Sequence, residues 1–66
     1  MQIIVNGETQ DVSDKLTAAQ LVENMGISGS RIAMEVNLEI VPRSIYAEYV
    51  FKAGDKVEVV HAVGGG

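Results

Sequence analysis

The chain has 66 residues, 47% of them hydrophobic, a formal net charge of −4 and no cysteine. That length allows one small domain, which buries about 60% of its unfolded surface. The missing thiols exclude a disulfide scaffold, a thiolate metal site, an iron–sulfur cluster and a cysteine nucleophile.

The five basic residues, Lys15, Arg31, Arg43, Lys52 and Lys56, form no cluster among aromatics, which argues against nucleic acid as a partner. Apolar runs are only a few residues long and no signal peptide precedes the first strand, so no membrane is expected and the expected localisation is cytoplasmic.

Gln2-Ile3-Ile4-Val5 reads as a strand, and Asn6-Gly7 is a strong two-residue hairpin signal because both residues tolerate positive φ. Thr9 to Val12 is the returning strand, polar enough for an edge. Thr17 and Gln20 then form a T-x-x-Q capping box, with Leu16 and Leu21 at the two positions of a hydrophobic staple. Ala18, Leu21, Val22 and Met25 fall on one face at helical spacing, which predicts a helix from about Ala18 to Met25. Gly26 ends it, and Ile27 is placed to fold back on the last turn.

Arg31 to Val36 alternates, with Ile32, Met34 and Val36 on one face and Arg31, Ala33 and Glu35 on the other. Asn37-Leu38 is a turn and Glu39-Ile40-Val41 a short partner strand, stopped by Pro42, which lacks an N–H. Ser44 to Val50 is ambiguous; Ile45, Tyr46, Tyr49 and Val50 fit a helical turn closing one end of the core. Ala53-Gly54-Asp55 is a turn and Lys56 to Val63 the last strand. The order β-β-α-β-β-turn-β describes an α+β domain with helix segregated to one side of a mixed sheet of four or five strands. If the first strand is central and the last pairs parallel to it, the arrangement is the β-grasp.

Parity along the last strand turns Val57 and Val59 toward the helix and Val60 and Ala62 away from it. Ile4 shares the outward parity, so Ile4, Val60 and Ala62 are expected to form a small apolar docking patch beside the chain's final residues. His61, the single histidine, sits at the strand's exit with no serine, cysteine or ligand partner in sight, and reads as structural or solvent-exposed. The carboxylates show no metal-ligand spacing, and neither G-x-G-x-x-G nor a P-loop is present.

The strand runs into Gly64-Gly65-Gly66. Three glycines lose more backbone entropy on ordering than any other residues and rarely serve a fold. They provide a slim arm of about 10 Å whose α-carboxylate is ionised at neutral pH. Such an arm can thread a channel too narrow for side chains; the plainer reading is a frayed end or a linker. Residues 1–63 are thus expected to be the domain and 64–66 its tail.

Over its whole length the chain resembles the ThiS family, sulfur carriers of thiamine biosynthesis. The resemblance rests on Glu35-Val36-Asn37, Ile40-Val41-Pro42-Arg43-Ser44, Gly54-Asp55-Lys56-Val57-Glu58 and the terminal Gly-Gly. One departure is Leu38, where the pattern implies glycine or a polar residue. The resemblance implies a ubiquitin-like β-grasp and a carrier with no active site or bound cofactor of its own. A ThiF-type adenylyltransferase would use ATP and Mg²⁺ to adenylate the Gly66 carboxylate. A cysteine desulfurase or other persulfide donor would then convert it to a thiocarboxylate, and the thiazole synthase ThiG would take the sulfur. Gly64, Gly65, Ile4, Val60 and Ala62 would bind these partners. The alternatives are a MoaD-like carrier for molybdopterin or another metabolite, a ubiquitin-like modifier joined to lysines, and a plain interaction module.

Overall fold

The computed structural model of the protein describes residues 1–27 and 31–61. Its strands are β1 (Gln2–Val5), β2 (Glu8–Asp11), β3 (Ile32–Val36), β4 (Glu39–Val41) and β5 (Lys56–His61). One helix, α1 (Ala18–Asn24), precedes β3, and a short 3₁₀ helix (Arg43–Ile45) follows β4.

Local chemistry starts each element. Asn6 (φ 50°) and Gly7 (φ 84°) both take the left-handed conformation, which a type I′ turn between β1 and β2 requires. Thr17 caps α1 reciprocally: the Gln20 N–H donates to Thr17 Oγ1 at 3.1 Å, and the Thr17 N–H donates to Gln20 Oε1 at 3.0 Å. At the other end Gly26 (φ 74°) reverses the chain. Its N–H donates to the Glu23 carbonyl and that of Ile27 to Val22, the paired bonds of a Schellman stop. A helix of seven residues is marginal alone, so packing must hold it. Leu21, Val22 and Ala18 supply that packing by burial against the sheet, with Leu16 closing the staple.

The sheet order is β2-β1-β5-β3-β4. β5 is parallel to β1 and antiparallel to β3, so the last of the described strands occupies the middle of the sheet. Alternation then sorts the side chains. Ile3, Val5, Met34, Val36, Val57 and Val59 are buried under the helix, and the opposite face carries Ala33, Ile40, Lys56, Glu58 and Val60 in the open.

The segment of ambiguous pattern after Pro42 closes the core as one short 3₁₀ turn and irregular chain. Tyr46 and Phe51 are buried there, while Ile45 and Val50 are partly exposed. Phe51 meets Tyr49 edge-to-face at 5.6 Å. This is the β-grasp, and α1 ends at Asn24, one residue short of expectation.

The Asn37-Leu38 turn departs from ordinary turn chemistry. Asn37 (φ 52°) and Leu38 (φ 71°) both lie in the left-handed region, making a second type I′ turn. For a side chain with a Cβ this conformation costs about 1–2 kcal/mol. Leu38 bears it while 88% exposed, so burial returns nothing.

Candidate functional site

β5 is the described strand that precedes Gly64-Gly65-Gly66 in the sequence, and its fastening is the part of the site the structure describes. Two asparagines, each opening a type I′ turn, fasten it from either side. On the β1 side the Asn6 N–H donates to the Val57 carbonyl at 2.8 Å. The Asn6 side chain then continues the ladder where β1 has ended: the Val59 N–H donates to Oδ1 at 2.9 Å and Nδ2 donates to the Val59 carbonyl at 3.2 Å.

On the β3 side the Asn37 N–H donates to the Lys56 carbonyl at 2.8 Å, and the Lys56 N–H donates to Asn37 Oδ1 at 3.0 Å. Asn37 Nδ2 donates to Asp55 Oδ1 at 3.0 Å, and the Lys52 N–H donates to Asp55 Oδ2 at 2.8 Å. Asp55 is the one charged residue buried among those described, and these donors compensate its carboxylate.

Of the residues expected to bind partners, Val60 is exposed on the uncovered face opposite Ala33. Ile4 lies on that face too, half-buried and opposite Lys56. Val60 is four residues beyond Lys56, so the two side chains are offset by about 13 Å along the strands. Glu58 stands between them on β5. The structure therefore places Ile4 and Val60 on one face without bringing them together. His61 is exposed at the end of β5, opposite Ile32. Ala62, Gly64, Gly65 and Gly66, and with them the expected boundary after residue 63, lie outside the described residues.

Sequence reasoning missed the rest of this face. Leu38 and Ile40 are exposed, the latter by 66%. Glu35 and Glu58 are direct cross-strand partners, an unfavourable pairing of like charges. Glu35, Asn37, Leu38, Lys56 and Glu58 surround a recess of about 80 Å³. The signal for Leu38 was present in the turn position itself, an apolar residue where a polar one or glycine is the rule.

On the helix side a wider cleft of about 370 Å³ runs between Val22, Ile27, Ile32 and Tyr46, with Glu23 and Arg43 at its rim. The Tyr46 hydroxyl is buried with no hydrogen-bond partner. Burial raises its pKa above the ordinary tyrosine value, and nearby Arg43 opposes that shift. Among the described residues no group of histidine, cysteine or carboxylate side chains is placed to hold a metal ion. No helix among them is long and apolar enough to cross a membrane.

A mixed five-stranded sheet folded around one helix, with the central strand running on toward three glycines, defines a ubiquitin-like β-grasp domain. The ThiS family profile matches residues 3–66, and the chain belongs to that family.

The crystal structure of the thiamine biosynthesis protein ThiS from Geobacter metallireducens is similar over 100% of both chains, with a TM-score of 0.80 and 28% identity. The sulfur carrier protein ThiS of Escherichia coli is 27% identical over 66 residues, again 100% of both chains. The thiazole synthase of Paramagnetospirillum magneticum is 41% identical over the same 66 residues, and that of Magnetococcus marinus 35%. The chain spans 20% of the length of each of these two synthases.

Proposed function

We propose that the protein is a sulfur carrier of thiamine biosynthesis, with Gly66 as the reacting residue. The observation that carries this reading is the run of three glycines following the central, doubly fastened strand. Hydrogen bonds from both sides order β5, the strand that precedes the arm in the sequence, and the absence of side chains lets the arm enter a narrow active site. Full-length similarity to a protein named as a sulfur carrier supports the reading. The ThiS-like stretch of the two thiazole synthases supports a synthase of that kind as a partner.

The chemistry needs activation because a carboxylate is a poor electrophile. The Gly66 carboxylate attacks the α-phosphorus of ATP, held with Mg²⁺ by a ThiF-type adenylyltransferase, and pyrophosphate leaves. A persulfide from a cysteine desulfurase or other donor attacks the acyl carbon of the adenylate, and AMP leaves. A thiol attacks the donor-side sulfur of the resulting acyl disulfide, forming a disulfide with the donor as the thiocarboxylate leaves, and the thiocarboxylate donates its sulfur on the thiazole synthase. A carrier without cysteines cannot divert these sulfur intermediates into disulfides of its own.

Intact-mass spectrometry of the protein from its native cells tests this. A fraction should be heavier by one sulfur-for-oxygen exchange, the change should map to Gly66, and it should vanish when the activating enzyme is deleted. Lysine-linked conjugates of the tail with no thiocarboxylate would make the protein a modifier instead.

A further inference from the structure

The tip of the β3–β4 hairpin combines features that do nothing for the isolated domain. Leu38 holds a left-handed conformation at φ 71° and is 88% exposed. It is not loosely held, because three hydrogen bonds fix Asn37 beside it to Lys56 and Asp55. The backbone that carries this side chain is thus ordered before any partner arrives, which lowers the entropic cost of docking on it.

Around it the same face exposes Ile40, Ala33 and Val60. Among these apolar groups sit Glu35 and Glu58, directly opposite each other. Neither makes a salt bridge with Lys56 at the edge of the recess. Like charges facing each other repel in the free protein and become an asset once a cation lies between them. The recess beside them, about 80 Å³, has room for two or three waters or for a flat guanidinium. The complementary surface is therefore an apolar cleft edged by an arginine.

We propose that Leu38 is a docking anchor for thiazole synthase, seated in such a cleft while an arginine at its edge enters the recess and pairs with Glu35 and Glu58. The identity of the partner rests on the proposed function; the surface itself does not. Leu38 lies at the end of β3 remote from the Ile32–His61 pair where β5 ends. A synthase seated on Leu38 therefore contacts the end of the sheet opposite to that of the Ile32–His61 pair.

The test compares affinity for thiazole synthase from the same organism with the melting temperature of the free carrier. Leu38→Gly relieves the left-handed strain, so it should melt no lower than wild type yet bind at least tenfold more weakly. The double variant Glu35→Gln/Glu58→Gln relieves the cross-strand repulsion. It should melt slightly higher, bind several-fold more weakly, and lose most of the salt dependence of binding.

A residue kept for folding alone cannot give this combination of retained stability and lost affinity. Wild-type affinity in both variants overturns the inference, as does a wild-type chain that fails to bind the synthase. Loss of binding to the activating enzyme alone, or loss of self-association, would give the face to a different occupant and overturn it too. The carrier reading has its own readout in the Gly66 mass. A normal thiocarboxylate with unchanged synthase affinity defeats only the anchor, and a missing thiocarboxylate in wild type defeats the carrier whatever Leu38 does.

Discussion

Asn6 and Val59, 53 residues apart in the chain, are joined by two hydrogen bonds that make one side chain do the work of an extra strand residue. β1 ends at Val5, yet the ladder against β5 continues one step further through the Asn6 amide. That step is the last one on the β1 side before β5 ends and the chain goes on to the glycines.

Asn6→Ala should therefore cost more than its small size suggests. It removes both bonds, leaves the partly buried Val59 amide and carbonyl without partners, and places a Cβ residue of poor left-handed tolerance at φ 50°. A loss of about 2 kcal/mol is expected, or roughly 8–16 °C in melting temperature for a domain of this size. Asn6→Asp retains the acceptor for the Val59 N–H and should fall between the two. Amide exchange at Val59 reports the local effect. Wild-type protection of that amide in Asn6→Ala would show that the side chain is dispensable to the ladder.

Val60→Glu should leave the fold intact, within about 0.5 kcal/mol of wild type, because the side chain is exposed on the uncovered face. If this face docks the activating enzyme, burying an unpaired carboxylate there should weaken binding by a few kcal/mol. Ile4→Glu probes the same face about 13 Å away along the strands, so the two effects should add in the double variant to within about 0.5 kcal/mol. Titration calorimetry with the enzyme decides, and unchanged affinity in both variants would remove the face from that interface.

Tyr46→Phe should be neutral or stabilising by up to about 1 kcal/mol, since it deletes a buried hydroxyl that has no partner. Chemical denaturation at pH 7 measures this, and a clear loss of stability would mean that the hydroxyl is bonded in solution.

The pH dependence follows from the same burial. Tyr46 and Tyr49 both have pKa values raised in the folded state, each chiefly by burial. The unfolded chain releases these protons near pH 10 while the folded chain retains them. Their contribution to stability is therefore complete below that pH and declines as pH rises toward the folded-state values. Tyr46→Phe should shrink the alkaline loss, followed by tyrosinate absorbance alongside the unfolding transition.

The sequence by itself determined what depends on near neighbours. Asn6-Gly7 dictates a tight turn because two adjacent residues accept positive φ. Thr17 and Gln20 cap a helix because they stand three apart, and Gly26 stops it where no Cβ obstructs the reversal. Alternation within β3 and β5 sets which side chains face the helix, since parity is a property of the strand alone. The glycine tail was legible for the same reason.

The tertiary structure alone decided whatever joins distant stretches. The parallel register sets Ile4 against Lys56 rather than near Val60, and that register comes from packing across some fifty residues of intervening chain. The bonds from Asn6 to Val59 and from Asn37 to Lys56 exist only once β5 has inserted between β1 and β3. Phe51 carries no periodic signal, and it is buried because the irregular segment folds over the end of the core. Leu38 could be read as an odd turn residue, but its left-handed backbone and its place beside Glu35 and Glu58 follow from the pairing of β3 with β4 and β5. That pairing is set by the energy of the whole sheet and not by any short run of residues.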